Sequence, residues 1–128
     1  MSLRSPLAVV LGRGSAGNGV AHWWAQRLSA LALVPLALWF LYALLRLQLN
    51  DYAAVTIWIA SGWHPVWLAL LLAALCWHSR LGVQVVIEDY VHSPALKLGT
   101  LLCNSGAHLV LLAAGVYALL SIALRGAP

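Results

Sequence analysis

The chain has 128 residues, of which 63% are hydrophobic and 8% charged, and its mean hydropathy is +0.90. A soluble domain of this size cannot hide so much apolar surface, so the composition specifies an all-α integral membrane protein, with room for about three spans of roughly 20 residues and no separate soluble domain. The formal net charge of +4 comes from seven Lys and Arg residues scattered singly, which excludes the basic stripe of a nucleic-acid binder and leaves them as topology determinants.

Residues 1–20 read as a polar, glycine-rich cytoplasmic arm, since the run from Leu7 to Leu11 is short even for a signal-peptide core. Within it, Gly12-Arg-Gly14-Ser-Ala-Gly17 is a literal GxGxxG. That fingerprint binds dinucleotides only as the first turn of a βαβ unit with an acid about 20 residues on. Here an apolar span follows and the first acid is Asp51, so nucleotide binding is not expected.

The first span is expected over about residues 28–47, preceded by His22, Trp23, Trp24 and Arg27. Paired indoles beside a cation match an interfacial anchor. Arg27, with Ser29, also stands at the mouth of the helix, where a guanidinium suits a carboxylate such as a haem propionate. Pro35 should kink this helix unless neighbouring helices satisfy the carbonyl it frees.

Polarity rises at Gln48, Asn50, Asp51 and Tyr52, and residues 55–60 form an apolar patch too short to span, which reads as a loop with a short interfacial segment. Trp58, Trp63 and Trp67 form a second aromatic belt, and His64 is expected to be an exposed interfacial residue. The second span follows over about 65–87, with Pro65 suited to its first turn. After a turn at 89–96, the third span covers about 98–124. Gly99, Cys103 and Ala107 recur there every four residues, a ridge that lets another helix come close. Asn104 and His108 share a neighbouring face, which in lipid must look inward. Cys76 and Cys103 both fall in apolar spans, where a thiol acts as a small hydrophobe, and they offer no metal spacing.

With three spans, Arg4, Arg13, Arg27, Arg80 and Lys97 lie on one side, against Arg46 and Arg125 on the other. This excess puts the N-terminus in the cytoplasm and the C-terminus outside. Arg80 lies inside the second span and must snorkel or pair.

The second span carries chemistry where lipid tolerates little. His78 sits well inside it, flanked four residues away on either side by Ala74 and Gly82, so its face has the clearance a flat macrocycle needs. A neutral imidazole there suits haem iron or a hydrogen bond to a neighbouring helix. His108, at similar depth, is the candidate second ligand within the chain, and a partner subunit is an equal source. Glu88, Asp89 and Tyr90 form a polar rim about 18 Å further on, at headgroup level.

The order His78-x3-Gly82-x7-Tyr90, with Asp89 before the tyrosine, and the approach Gly19-Val-Ala-His22-Trp-Trp-Ala-Gln-Arg27-Leu-Ser29 resemble the hydrophobic membrane anchors of succinate dehydrogenase, respiratory complex II. The resemblance extends over nearly all of the chain from Gly19. It implies that a second membrane anchor (cytochrome b) subunit shares one haem b with this chain, one histidine from each. It further implies an iron-sulfur subunit and a flavoprotein subunit docked on the cytoplasmic face, with electrons from succinate passing to ubiquinone. By position, His78 would be the haem axial ligand, Arg27 and His22 would face haem propionates, and Tyr90 with Asp89 would bind quinone. His108 then becomes a packing or hydrogen-bonding residue. A phenol beside carboxylates at the membrane edge independently suits quinone reduction, which needs a carbonyl donor and a proton route. The setting expected is a bacterial inner membrane rather than a mitochondrial one. The chain catalyses nothing alone. Rival readings are a cofactor-free structural subunit, or a small transporter using His78, Arg80 and Glu88 as a polar path.

Overall fold

The computed structural model describes residues 17–125, with side chains from Val20 onward. Most of the expected N-terminal arm, with the glycine motif up to Ala16, therefore lies outside the described residues. Four helices follow in order: α1 (Gly17–Arg46), α2 (Tyr52–Ala60), α3 (His64–Tyr90) and α4 (Pro94–Arg125). Stretches Val20–Arg46, His64–Tyr90 and Pro94–Arg125 are each long and apolar enough to cross a membrane. Relative to the spans expected from sequence, α1 starts well ahead of residue 28, and α3 and α4 overrun both ends of 65–87 and 98–124, because the bilayer limits the hydrophobic stretch and not the hydrogen-bonded ladder. The α1 helix is assigned without a break through Pro35.

The long helices form a row with α3 at its centre. Backbone contacts join α3 to α1 and to α4, and α2 to α3 and α4, whereas among the described residues α1 and α4 do not meet. Among the described residues very little is buried: Leu36, Leu71 and Leu81 are the buried apolar side chains and Ser29 and Thr56 the buried polar ones. A chain with so small a core gains little from withdrawing apolar groups from lipid, so packing and side-chain hydrogen bonds hold the row.

Between α1 and α3 the expected loop contains a true helix. The Asp51 carboxylate caps α2, accepting from the backbone N–H groups of Ala53 at 2.9 Å and Ala54 at 3.2 Å. Gly62 then takes a positive φ of 52°, which turns the chain into α3, and Pro65 occupies the first turn, where no N–H is required.

His64 departs from expectation, since it is half-buried rather than exposed. Its Nδ1–H donates to the Trp58 carbonyl at 2.8 Å, and its ring stacks on Trp58 at 4.6 Å between centroids. Trp39 of α1 adds a third layer, 6.0 Å from both Trp58 and Trp67. These rings bridge α1 to α2, whose backbones do not approach each other. Trp63 stays 74% exposed, as a belt residue would. The Gly99, Cys103 and Ala107 ridge is exposed and points away from the other helices of this chain.

At Gly115 of α4 an added Cβ would collide with the Leu72 side chain of α3, whereas Gly106 faces open space. Gly115→Leu should therefore destabilise the fold by about 1–3 kcal/mol, while Gly106→Leu should be nearly neutral. Midpoints of SDS denaturation from mild detergent micelles would check the difference.

Candidate functional site

His78 lies on the side of α3 that faces α1. Its Nδ1 is 3.0 Å from the Ser29 hydroxyl, and that hydroxyl already donates its hydrogen to the Gln26 carbonyl at 2.9 Å. Ser29 can then only accept from the imidazole, so Nδ1 carries the proton and Nε2 keeps its lone pair. That lone pair meets the Gln26 side-chain amide at 3.4 Å, a long contact. The same amide lies 3.6 Å from where a Cβ on Gly82 would sit. The clearance beside Gly82 thus holds a movable side chain rather than backbone. The pairing of Ser29 with His78 and of Gln26 with Gly82 also sets the antiparallel register of α1 and α3.

His22, Gln26 and Ser29 follow each other at helical spacing on one face of α1. His22 Nε2 and Gln26 Oε1 are buried with no hydrogen-bond partner, an unusual cost inside a protein. Arg27 stands beside this seam on an exposed flank, its guanidinium 5.3 Å from the Trp23 ring centre.

The structure does not bring His108 to His78. Its Nδ1–H donates to the Asn104 carbonyl at 2.8 Å, and its Nε2 accepts from the Ser79 hydroxyl at 3.1 Å. Asn104 in turn donates to the Arg80 carbonyl at 3.0 Å. These residues tie α4 to the opposite side of α3, and both nitrogens of His108 are spoken for.

The rim residues sit apart from both histidines. Tyr90 ends α3 and is 78% exposed, and Asp89 is exposed beside it. Glu88 is held in place: its carboxylate accepts from the Gln84 amide at 2.8 Å, and its carbonyl accepts from the Lys97 ammonium at 2.8 Å. Lys97 thereby satisfies an end carbonyl of α3 and favours the negative end of that helix.

Sequence reasoning did not assign Gln26 to the imidazole, and it placed Ser29 at the helix mouth instead of on His78. The available signal was the spacing of His22, Gln26 and Ser29, a polar stripe on an apolar helix. Among the described residues no three His, Cys, Asp or Glu side chains converge to hold a metal ion. A single imidazole holds a metal firmly only when something else, such as a macrocycle, supplies the remaining ligands.

The fold and this seam define an integral membrane subunit that offers one oriented imidazole at membrane depth and a polar rim at one end. The model of the succinate dehydrogenase/fumarate reductase transmembrane subunit family matches residues 1–120, and the chain belongs to that family. It is 33% identical over 122 residues to a "Succinate dehydrogenase hydrophobic membrane anchor subunit" of Rickettsia bellii (strain RML369-C), covering 93% of this chain and 87% of that protein. A protein of the same name from Rickettsia conorii (strain ATCC VR-613 / Malish 7) is 32% identical over 85 residues, 66% of this chain and 68% of that protein. The "Succinate dehydrogenase membrane anchor subunit" of Reclinomonas americana is 28% identical over 85 residues, 63% of this chain and 70% of that protein. No solved structure matches the chain. Three apolar helices and the bacterial relatives place it as a multi-pass protein of a bacterial inner membrane.

Ser29→Ala should leave the imidazole without its acceptor, so that the Nε2–H form of His78 gains population. Nitrogen-15 shifts of labelled histidine in bilayers would register the change; an unaltered Nδ1–H signal would mean that Ser29 does not set the tautomer.

Proposed function

We propose that this chain is the membrane anchor of a succinate dehydrogenase complex, to which it lends one haem b ligand and part of a ubiquinone site. The observation that carries this reading is the Ser29-oriented imidazole of His78, on a helix that ends at Asp89 and Tyr90. Its chemistry fits a haem. A ligating histidine usually donates its other ring N–H to a fixed acceptor, which holds the ring and raises its basicity, and Ser29 is such an acceptor. Gln26 covers Nε2 only through a long contact and can swing aside.

A haem bound there would supply a one-electron redox centre inside the membrane. His22, with its buried unpartnered Nε2, and Arg27 would hold its propionates through charge-assisted bonds. His108 serves packing, since its nitrogens are already engaged. A second membrane anchor, the cytochrome b subunit, would lie against the row of helices and supply the other histidine. At the rim, the Tyr90 hydroxyl would donate to a quinone carbonyl, a bond that strengthens as negative charge develops on oxygen, and Asp89 would help relay protons. The start of α1 and the end of α3 share one membrane side, which the distribution of Lys and Arg makes cytoplasmic. An iron-sulfur subunit and a flavoprotein subunit would dock on that side.

The test is a reduced-minus-oxidised visible spectrum of the complex captured gently through a tag on this chain. The expected result is a low-spin b-type haem that His78→Ala abolishes and His108→Ala preserves. Tyr90→Phe should keep that spectrum while quinone reduction falls about a hundredfold, the usual cost of one donor to a developing oxyanion. A complex with all its partners and no haem would favour a purely structural anchor.

A further inference from the structure

Arg80 takes no part in the haem seam or in the rim. Its Cα lies ten residues short of Tyr90, about 15 Å along the helix. The side chain turns back toward the start of α3, which carries the charge deeper, with the guanidinium carbon 4.7 Å from the Trp77 ring centre. Its Nε is buried and has no hydrogen-bond partner. The side chain lines a groove of about 300 Å³ between α3 and α4, together with Ala73, Trp77, Ser105, His108 and Leu109.

A guanidinium at this depth is costly unless an acceptor meets it. Among the described residues no acceptor meets the Arg80 Nε. The chain has three acids: Asp51 caps α2, Glu88 is engaged by Gln84, and Asp89 is exposed next to it. Glu88, the nearest of the three in sequence, stands eight residues or about 12 Å further along α3, in the direction away from which the arginine points. His108 is already saturated by Asn104 and Ser79. A second copy of the chain would bring the same acids, which sit at helix ends and not at mid-span. Lipid phosphates lie at the edge of a hydrocarbon core about 30 Å thick, far from the Trp77 level.

We propose that this groove receives a transmembrane helix of a second, different chain, and that a carboxylate on that helix pairs with Arg80. Leu109 and Ala73 give the helix an apolar wall, and the planar guanidinium offers a carboxylate two parallel donors. The inference rests on the anchor reading for the presence of a second membrane chain; the haem plays no part in it.

The experiment places the photo-crosslinker p-benzoylphenylalanine at Leu109 in the tagged, membrane-assembled complex and maps the adducts by mass spectrometry. The expected adduct is a membrane-spanning peptide of another subunit that contains Asp or Glu. Arg80→Leu should then lower recovery of that subunit about tenfold, because an unpaired carboxylate is left in the membrane. Arg80→Lys should retain most of it, and replacing the mapped acid by its amide in the Arg80→Leu background should restore it. Adducts to phospholipid alone, a crosslinked helix without an acid, or full recovery of the partner with Arg80→Leu would each overturn the inference while leaving the anchor reading intact. A wild-type complex that contains no second membrane chain would overturn both.

Discussion

The hydrogen bond from the His78 imidazole to the Ser29 hydroxyl governs more of this structure than any other contact. Among the described residues Ser29 is one of two buried polar residues, and its own hydrogen is committed to the Gln26 carbonyl one turn earlier. The bond therefore has one sense. It docks α1 on α3 where hydrophobic burial does little, since lipid tails solvate leucine as well as a neighbouring helix does. It sets the register of that pair, so His22 and Gln26 fall on the same seam. It also leaves the Nε2 lone pair of His78 as the reactive side of the ring.

The two deep histidines show how partners, and not residue type, assign a role. His78 and His108 both lie within apolar helices and both hydrogen-bond across helices. His108 donates through one nitrogen and accepts through the other, which exhausts a neutral imidazole. His78 spends its proton on Ser29 and keeps a lone pair against a long amide contact. One ring is a strut, and the other keeps an unspent lone pair. Packing on different sides of α3 separates them, because α3 presents His78 to α1 and Ser79 to α4.

The ends of the row are built differently, and each suits its surroundings. At one end Trp39, Trp58, His64 and Trp67 stack into a rigid aromatic block that holds α1 to α2 through side chains alone. At the other, Glu88 is fixed by Gln84 and Lys97 while Asp89 and Tyr90 remain exposed. An exposed phenol and carboxylate on a well-capped helix end are ready for a partner surface.

Composition by itself determined the membrane class, and runs of apolar residues determined three spans, because an apolar stretch of about 20 residues has no other stable environment. The spacing of His78, Gly82 and Tyr90 on one helix was equally legible, being a matter of helical rise. What spacing left open was which partners His78 and His108 meet, the burial of His64, and the surroundings of Arg80. Each depends on which neighbour a side chain meets, and a periodic pattern reports only a face. Tertiary structure decided these: Ser29 and Gln26 come to His78 from 49 and 52 residues away, Trp58 caps His64, and α4 closes one wall of the groove at Arg80. The Trp58–His64 contact spans only six residues, but the partners of His78 and the groove at Arg80 arise only when distant segments pack, so no local reading could have supplied those.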